Sequence, residues 1–182
     1  MVPTLVIVPA LVALLNTNLG EGLYSTASLE RDLADPTARV LSAHREGKLL
    51  GGAVTRLLGP ADVDYYERFG EPARALFVSG PIGSVEALAV SPAARRAGVG
   101  RKLLLDSLEW CREQGCRDVV AISWISGSTG SSAPLFAAAG FTMGETIEDF
   151  YLDDSLREGW GCPVCGAGCH CAGELVYLRL RA

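Results

Sequence analysis

The most constraining feature of the sequence is a glycine-bearing turn, Arg95–Lys102, between an apolar strand-like run and an amphipathic helix. From Val99 to Gly115 the apolar residues recur every three or four positions, which is typical of a helix packed on a core. The turn therefore lies at a helix N-terminus, where the first N–H groups have no partner and the helix dipole is positive. Such a terminus favours an anion, and we expect it to bind a phosphate.

The spacing of the glycines excludes two common phosphate-binding motifs. A dinucleotide fingerprint needs a third glycine where Leu103 stands, and a nucleotide-triphosphate loop needs Lys and Ser or Thr directly after Gly100. What remains is the pattern Arg95-x-x-Gly98-x-Gly100. Its plainest alternative interpretation is a solvated, basic helix start.

Strand and helix patterns alternate along the rest of the chain. Strands are expected at residues 4–8, 38–44, 48–58, 84–90, 118–124, 141–154 and 174–182. Further helices are expected at residues 10–16, 26–35 and 131–140, the second capped by Ser25 or Thr26 with Glu30 near the capping-box position. These elements favour an α/β fold, a mixed sheet with helices on both faces.

Two connections carry specific expectations. Residues 45–47 contain a glycine and join two strand patterns, which predicts a hairpin. Residues 59–80, with Asp62, Asp64 and the pair Tyr65-Tyr66, are expected to be irregular, either a flexible excursion beside a site or a plain surface loop.

Length and composition favour a single domain over residues 1–182, since 182 residues with 49% hydrophobic positions can bury one sizeable core. The net charge of −5 argues against a nucleic-acid surface. The apolar run from Leu5 to Leu15 is broken by Pro9 and has no basic residue before it, so it fits neither a bilayer span nor a signal peptide. We expect a cytoplasmic protein without a membrane partner.

The phosphate turn, the strand run at residues 86–92 and the later stretch from Ala133 to Phe141 together resemble the acyl-coenzyme A region of the GNAT superfamily of N-acetyltransferases. The resemblance is specific over residues 84–141. It implies a mixed, mostly antiparallel twisted sheet with splayed central strands. It also implies acetyl transfer from acetyl-coenzyme A to a primary amine, with a homodimer as an assembly to test.

The resemblance also implies which residues hold the cofactor. Pantetheine and the thioester are assigned to Leu88, Ala89 and Val90. The pyrophosphate is assigned to the turn, whose residues are Arg95, Arg96, Ala97, Gly98, Val99, Gly100, Arg101 and Lys102. Backbone N–H groups and charge-assisted contacts from the basic side chains would bind its oxygens.

Glu86 is the candidate general base. An alkylammonium ion has a pKa of about 10.4 and no lone pair, so a base must remove its proton before it attacks the thioester. In a regular strand Glu86 shares a face with Leu88 and Val90. The alternative is an ordinary charge at a strand edge.

Phe136, assigned to the cofactor wall, departs from the family pattern. It stands where the family often has a tyrosine that protonates the departing thiolate. A thiol pKa near about 8.5 makes thiolate a tolerable leaving group, so transfer can survive this change. The alternative function is an inactive acyl-coenzyme A-binding or zinc-dependent interaction module.

A cysteine cluster interrupts the chain at about residues 159–173, between the last two predicted strands. Its members are Cys162, Cys165, Cys169 and Cys171. The Cys-Pro-x-Cys-Gly half is typical of a zinc knuckle, so we expect a structural zinc ion, with His170 as an alternative to Cys169. A redox dithiol and unmetallated surface cysteines are the other interpretations.

Overall fold

The computed structural model describes residues 7–78, 80–127 and 130–180, in which strands and helices form one mixed sheet with helices on both faces. The strands are β1 (Ala38–Arg45), β2 (Lys48–Leu58), β3 (Ile82–Val90), β4 (Asp118–Ser126), β5 (Gly130–Ser131), β6 (Thr142–Ile147) and β7 (Ala172–Arg179). The helices are α1 (Val8–Leu19), α2 (Thr26–Ala34), α3 (Val63–Glu67), α4 (Glu71–Val78), α5 (Val99–Glu113), α6 (Ala133–Ala138) and α7 (Leu152–Glu158). None of these helices is long and apolar enough to cross a bilayer.

The sheet has the order β1-β2-β3-β4-β7-β6, with β5 paired to β4. Within the described residues only β3 and β4 run parallel, and their pairing ends where Val85 meets Ala121. Beyond that point β3 continues to Val90, while β4 continues beside β7 as far as Ile125. The two central strands therefore diverge, which confirms the predicted mixed, mostly antiparallel sheet with splayed central strands.

Side chains alternate between the two faces of β4 and so divide the core. Val119 and Ala121 pack with the apolar face of α5, whereas Val120 packs with residues of α3 and α4. On this second face α1 and α2 cover the β1–β3 half of the sheet. The two faces of the divergent strands therefore carry different helices, α5 on one and α1 to α4 on the other.

The structure corrects the predicted first strand. Val8, the last residue of the expected strand 4–8, opens α1, because Pro9 suits the first turn of a helix, where no N–H partner is needed. Residues 4–6 lie outside the described residues.

In α2 the N-terminal cap is Ser25, and its reciprocal partner is Ser28 rather than Glu30. The Ser28 N–H donates to Ser25 Oγ at 3.0 Å.

Two further expectations are wrong in kind. Residues 59–80 were expected to be irregular, but Pro60–Asp62 forms a 3₁₀ turn, and α3 and α4 follow it as far as Val78, anchored by the buried Phe69 and Leu76. The expected strand 141–154 ends at Ile147, and α7 begins at Leu152, with acidic residues in its first turn and Gly159 in the left-handed conformation after its end. The hairpin at residues 45–47 is confirmed, with Arg45 as the last residue of β1.

Candidate functional site

A cavity of about 1050 Å³ opens where β3 and β4 diverge. Among the predicted site residues it brings together Glu86, Leu88, Ala89, Val90, Arg95 and Phe136. The rest of the predicted turn does not line the cavity but lies beside it. A side chain added at Gly100 would lie 3.5–3.6 Å from Val90, Leu88 and Leu135, all of which are lining residues.

The turn before α5 is shaped for an anion by its backbone. Arg96 and Gly98 have φ values of +60° and +80°, and the Lys102 N–H donates to Gly98 O at 3.0 Å as α5 begins. The preceding N–H groups of the first helical turn therefore have no intrahelical acceptor. Gly98 has open space where a Cβ would stand, so its φ, rather than crowding, requires glycine here.

The basic side chains of the turn are not equally available. Arg95 Nη2 lies 2.8 Å from Asn18 Oδ1, and Lys102 Nζ lies 2.6 Å from Asp106 Oδ1. Arg96 and Arg101 are exposed. Of the four predicted phosphate partners, Arg95 and Lys102 thus have protein partners, which an anion would have to displace or share.

Glu86 lies at an irregularity of β3 that the sequence does not reveal. Val54 of β2 pairs with Ala87, and the next residue, Thr55, pairs with Val85, so Glu86 is the extra residue of a bulge. The expectation that it shares a face with Leu88 is therefore wrong. Leu88 packs beside α5, whereas the Glu86 carboxylate lies on the α2 side of the sheet, where it meets Arg56.

The Glu86 carboxylate has one cationic neighbour. Arg56 Nε lies 3.1 Å from Glu86 Oε2, and Arg56 Nη2 lies 2.7 Å from Asp32 Oδ1. Burial raises the pKa of Glu86 above its ordinary value, and the Arg56 charge opposes this rise. A carboxylate with a raised pKa is a stronger base than one with its ordinary pKa, which suits proton removal from an ammonium group.

Phe136 is 4% exposed and packs against Phe141, with the ring centroids 5.1 Å apart. It has no proton to donate. Tyrosines distant in sequence also line the cavity, and these are Tyr24, Tyr65, Tyr66 and Tyr151. Burial raises the pKa of each of them, so they stay protonated at neutral pH. Of these, only the Tyr65-Tyr66 pair was singled out by sequence.

The four clustered cysteines converge. Their sulfur atoms all lie within 4.8 Å of one another, with Cys162 Sγ 3.9 Å and Cys165 Sγ 3.5 Å from Cys171 Sγ. A tetrahedral ion with Zn–S bonds of about 2.3 Å needs sulfurs about 3.8 Å apart, so the donor set fits zinc. His170 does not join this group, since its Nδ1 lies 2.9 Å from Asp149 Oδ1.

Comparison with known proteins agrees with the cavity and turn. The model of the acetyltransferase (GNAT) family matches residues 10–141. The chain is 31% identical over 114 residues to an aminoglycoside N(6′)-acetyltransferase type 1 of Klebsiella aerogenes, covering 63% of this chain and 65% of that protein. It is 28% identical over 82 residues to a mycothiol acetyltransferase of Amycolatopsis mediterranei (strain U-32), covering 45% and 27%. The chain thus spans less than two thirds of the length of either relative.

Solved structures share the fold at low identity. A ribosomal-protein-alanine N-acetyltransferase from Brucella melitensis superposes with a TM-score of 0.66 at 22% identity, over 99% of this chain and 98% of that one. A Bacillus subtilis acetyltransferase in complex with CoA gives a TM-score of 0.62 at 18% identity, over 95% and 93%.

Proposed function

Because this chain belongs to the GNAT family of acetyltransferases, we propose that it transfers the acetyl group of acetyl-coenzyme A to an amine. The observation that carries the proposal is the divergence of β3 from β4 beside the N-terminus of α5. The cavity there contains Arg95 at the start of the anion-binding turn, the edge of β3 that β4 has left, and the partly exposed carboxylate of Glu86. These three features are what a phosphorylated thioester and an ammonium group require.

The chain's own residues have distinct roles in this proposal. Backbone groups of Leu88–Val90 on the edge of β3 that β4 has left bind the amide groups of the pantetheine arm. The N–H groups at the start of α5, with Arg96 and Arg101, bind the pyrophosphate oxygens. The site thereby holds the thioester carbon beside the cavity that receives the amine.

Glu86 acts as the general base. Its carboxylate takes a proton from the ammonium group, directly or through a water molecule, and the free amine attacks the thioester carbon. The carbon–sulfur bond breaks, the thiolate leaves with the bonding electron pair, and it takes up, directly or through solvent, the second proton that the nitrogen loses as the amide forms. The pKa of a thiol, about 8.5, is low enough for this departure without the tyrosine that Phe136 replaces.

We also propose that Cys162, Cys165, Cys169 and Cys171 hold one zinc ion. The distances between their sulfurs support four thiolate ligands. Four protein ligands close the coordination shell, so the ion would order the segment between α7 and β7 and would not act on substrate.

Release of coenzyme A from acetyl-coenzyme A, followed with a thiol reagent, tests the proposed activity. The names of the relatives suggest two amines to supply, kanamycin and a peptide that begins with alanine, and spermidine adds a simple polyamine. Amine-dependent thiol release is expected with at least one of them. Coenzyme A binding by calorimetry without release in any mixture would support the binding-only alternative instead.

A further inference from the structure

We propose that the cysteine segment, residues 160–171, forms one wall of the acceptor part of the cavity. Metal at its four sulfurs then sets the affinity for the acceptor amine and leaves the affinity for coenzyme A unchanged. This inference rests on the acetyl transfer proposed above. It gives the segment a part in substrate recognition beyond holding two elements together.

The first observation is that the segment faces the cavity. Trp160, Pro163 and Val164 are among the lining residues. Val164 is 38% exposed, and two other exposed hydrophobic side chains, Leu23 at 37% and Tyr65 at 39%, line the same cavity. Apolar surface kept in solvent around one opening is typical of a ligand-binding site.

The second observation is the side of the sheet on which the segment lies. Trp160 and the three buried cysteines of the segment pack against Tyr151, which also packs with the α3 and α4 residues of the core. The anion-binding turn and α5 belong to the opposite face. A cofactor with its phosphates at α5 therefore leaves the Val164 side of the cavity to the amine.

The third observation is that the segment fastens the loop between α1 and α2. Glu21 N–H donates to Gly161 O at 2.7 Å, and Gly161 N–H donates to Glu21 O at 2.8 Å. A Cβ at Gly20 would lie 2.9 Å from Trp160 Cε3, so the indole occupies the space that glycine leaves. This loop supplies Leu23 and Tyr24 to the cavity.

The segment also holds α7. The Cys169 N–H donates to Ser155 Oγ at 2.8 Å, and α7 contributes Asp154 and Glu158 to the lining. A short, glycine-rich segment has little core of its own, so a bound metal supplies much of the free energy that orders it. Loss of the ion would release three pieces of the acceptor wall together.

A matched pair of variants tests the wall without removing a ligand. Val164→Arg places a charged side chain into the cavity, whereas Ala167→Arg adds the same side chain at an exposed position that does not line it. With the most active amine of the panel above, Val164→Arg should raise the acceptor KM about tenfold or more. Zinc content and coenzyme A affinity should stay unchanged in both variants, and Ala167→Arg should keep the wild-type KM.

Metal removal tests the coupling. Chelation should raise the acceptor KM and leave the calorimetric Kd for coenzyme A unchanged. It should also increase acrylamide quenching of tryptophan fluorescence in a Trp110→Phe background, where the two remaining tryptophans, Trp124 and Trp160, both line the cavity. Unchanged acceptor KM after chelation, or after Val164→Arg, would overturn the inference while acetyl transfer stands. Absence of thiol release by the wild-type protein would instead refute the proposed function.

Discussion

Arg56 Nε lies 3.1 Å from Glu86 Oε2, and the same guanidinium reaches Asp32 Oδ1 at 2.7 Å. The positive charge of Arg56 thus interacts with two carboxylates, one in the cavity and one on α2. Burial raises the pKa of Glu86, and Arg56 limits that rise. The pH dependence of catalysis should therefore respond to both residues, in opposite ways.

Glu86→Gln should lower kcat/KM by about 10²–10⁴, the usual loss when a general base is removed, with coenzyme A affinity preserved. In the wild type, kcat/KM should fall as pH decreases through the raised pKa of Glu86, and this acid limb should disappear in the variant. Asp64→Asn, on α3 and outside the cavity lining, is the control and should behave as wild type. A normal rate at every pH in Glu86→Gln would remove the residue from the mechanism.

Arg56→Met should move the acid limb of the kcat/KM profile to higher pH. The guanidinium stabilises the charged form of Glu86, so its loss lets burial raise the pKa of the carboxyl further. Arg56→Lys keeps the charge and should show a smaller displacement. A shift towards lower pH in Arg56→Met would contradict this account of the pair.

Gly98→Ala should weaken coenzyme A binding, whereas Gly100→Ala should not. At Gly98 the φ of +80° costs a residue with a Cβ about 1–2 kcal/mol, which the turn can relieve only by moving its N–H groups. At Gly100, inside α5, an added Cβ makes ordinary contacts of 3.5–3.6 Å. Calorimetric titration of both variants with coenzyme A makes the comparison, and equal affinities would reject the anion-binding turn.

Protein purified under reducing conditions should contain one zinc ion per chain by elemental analysis. Cys165→Ser should reduce the metal content and lower the melting temperature, because the thiolates that order the segment are then incomplete. Cys116→Ser, outside the cluster, should retain the metal. Wild-type protein without stoichiometric metal would reject the site.

Local signals allowed the strand, turn and helix around the cofactor to be predicted. The glycines, the spacing of apolar residues in α5 and the stretch at Ala133–Phe141 can be recognised without knowing which distant residues they contact. The helices α3 and α4 were missed because short helices depend on tertiary packing. Here Phe69 stacks on Phe150 with centroids 5.0 Å apart, and Arg68 lies 4.0 Å from the same ring, a contact between residues remote in sequence.

Of the residues that line the cavity, Leu88–Val90 and Arg95 could be predicted from local sequence, whereas those that come from α1 and α7 could not. The bulge at Glu86 arises because Val54 pairs with Ala87 and Thr55 pairs with Val85. It depends on the register between β2 and β3, so the sequence of β3 alone does not predict it. Tyr24 and Tyr151 reach the cavity from opposite ends of the chain. Convergence of the cysteines was predictable because all four lie within one short segment. Sequence left Cys169 and His170 as alternatives, and in the structure Cys169 joins the other sulfurs whereas His170 contacts Asp149.

The pairing between β3 and β4 is short, so few backbone hydrogen bonds join the two halves of the sheet. Within the described strands, four residue pairs, from Ile82–Asp118 to Val85–Ala121, join the β1-β2-β3 blade to the β4-β7-β6 blade. In the proposed complex, a pantetheine arm bound along the edge of β3 beyond Val85 would add contacts between the two blades where β3 and β4 no longer pair. Deuterium exchange of the amides in residues 86–90 should accordingly slow on cofactor binding, and the two blades should unfold in one step rather than two.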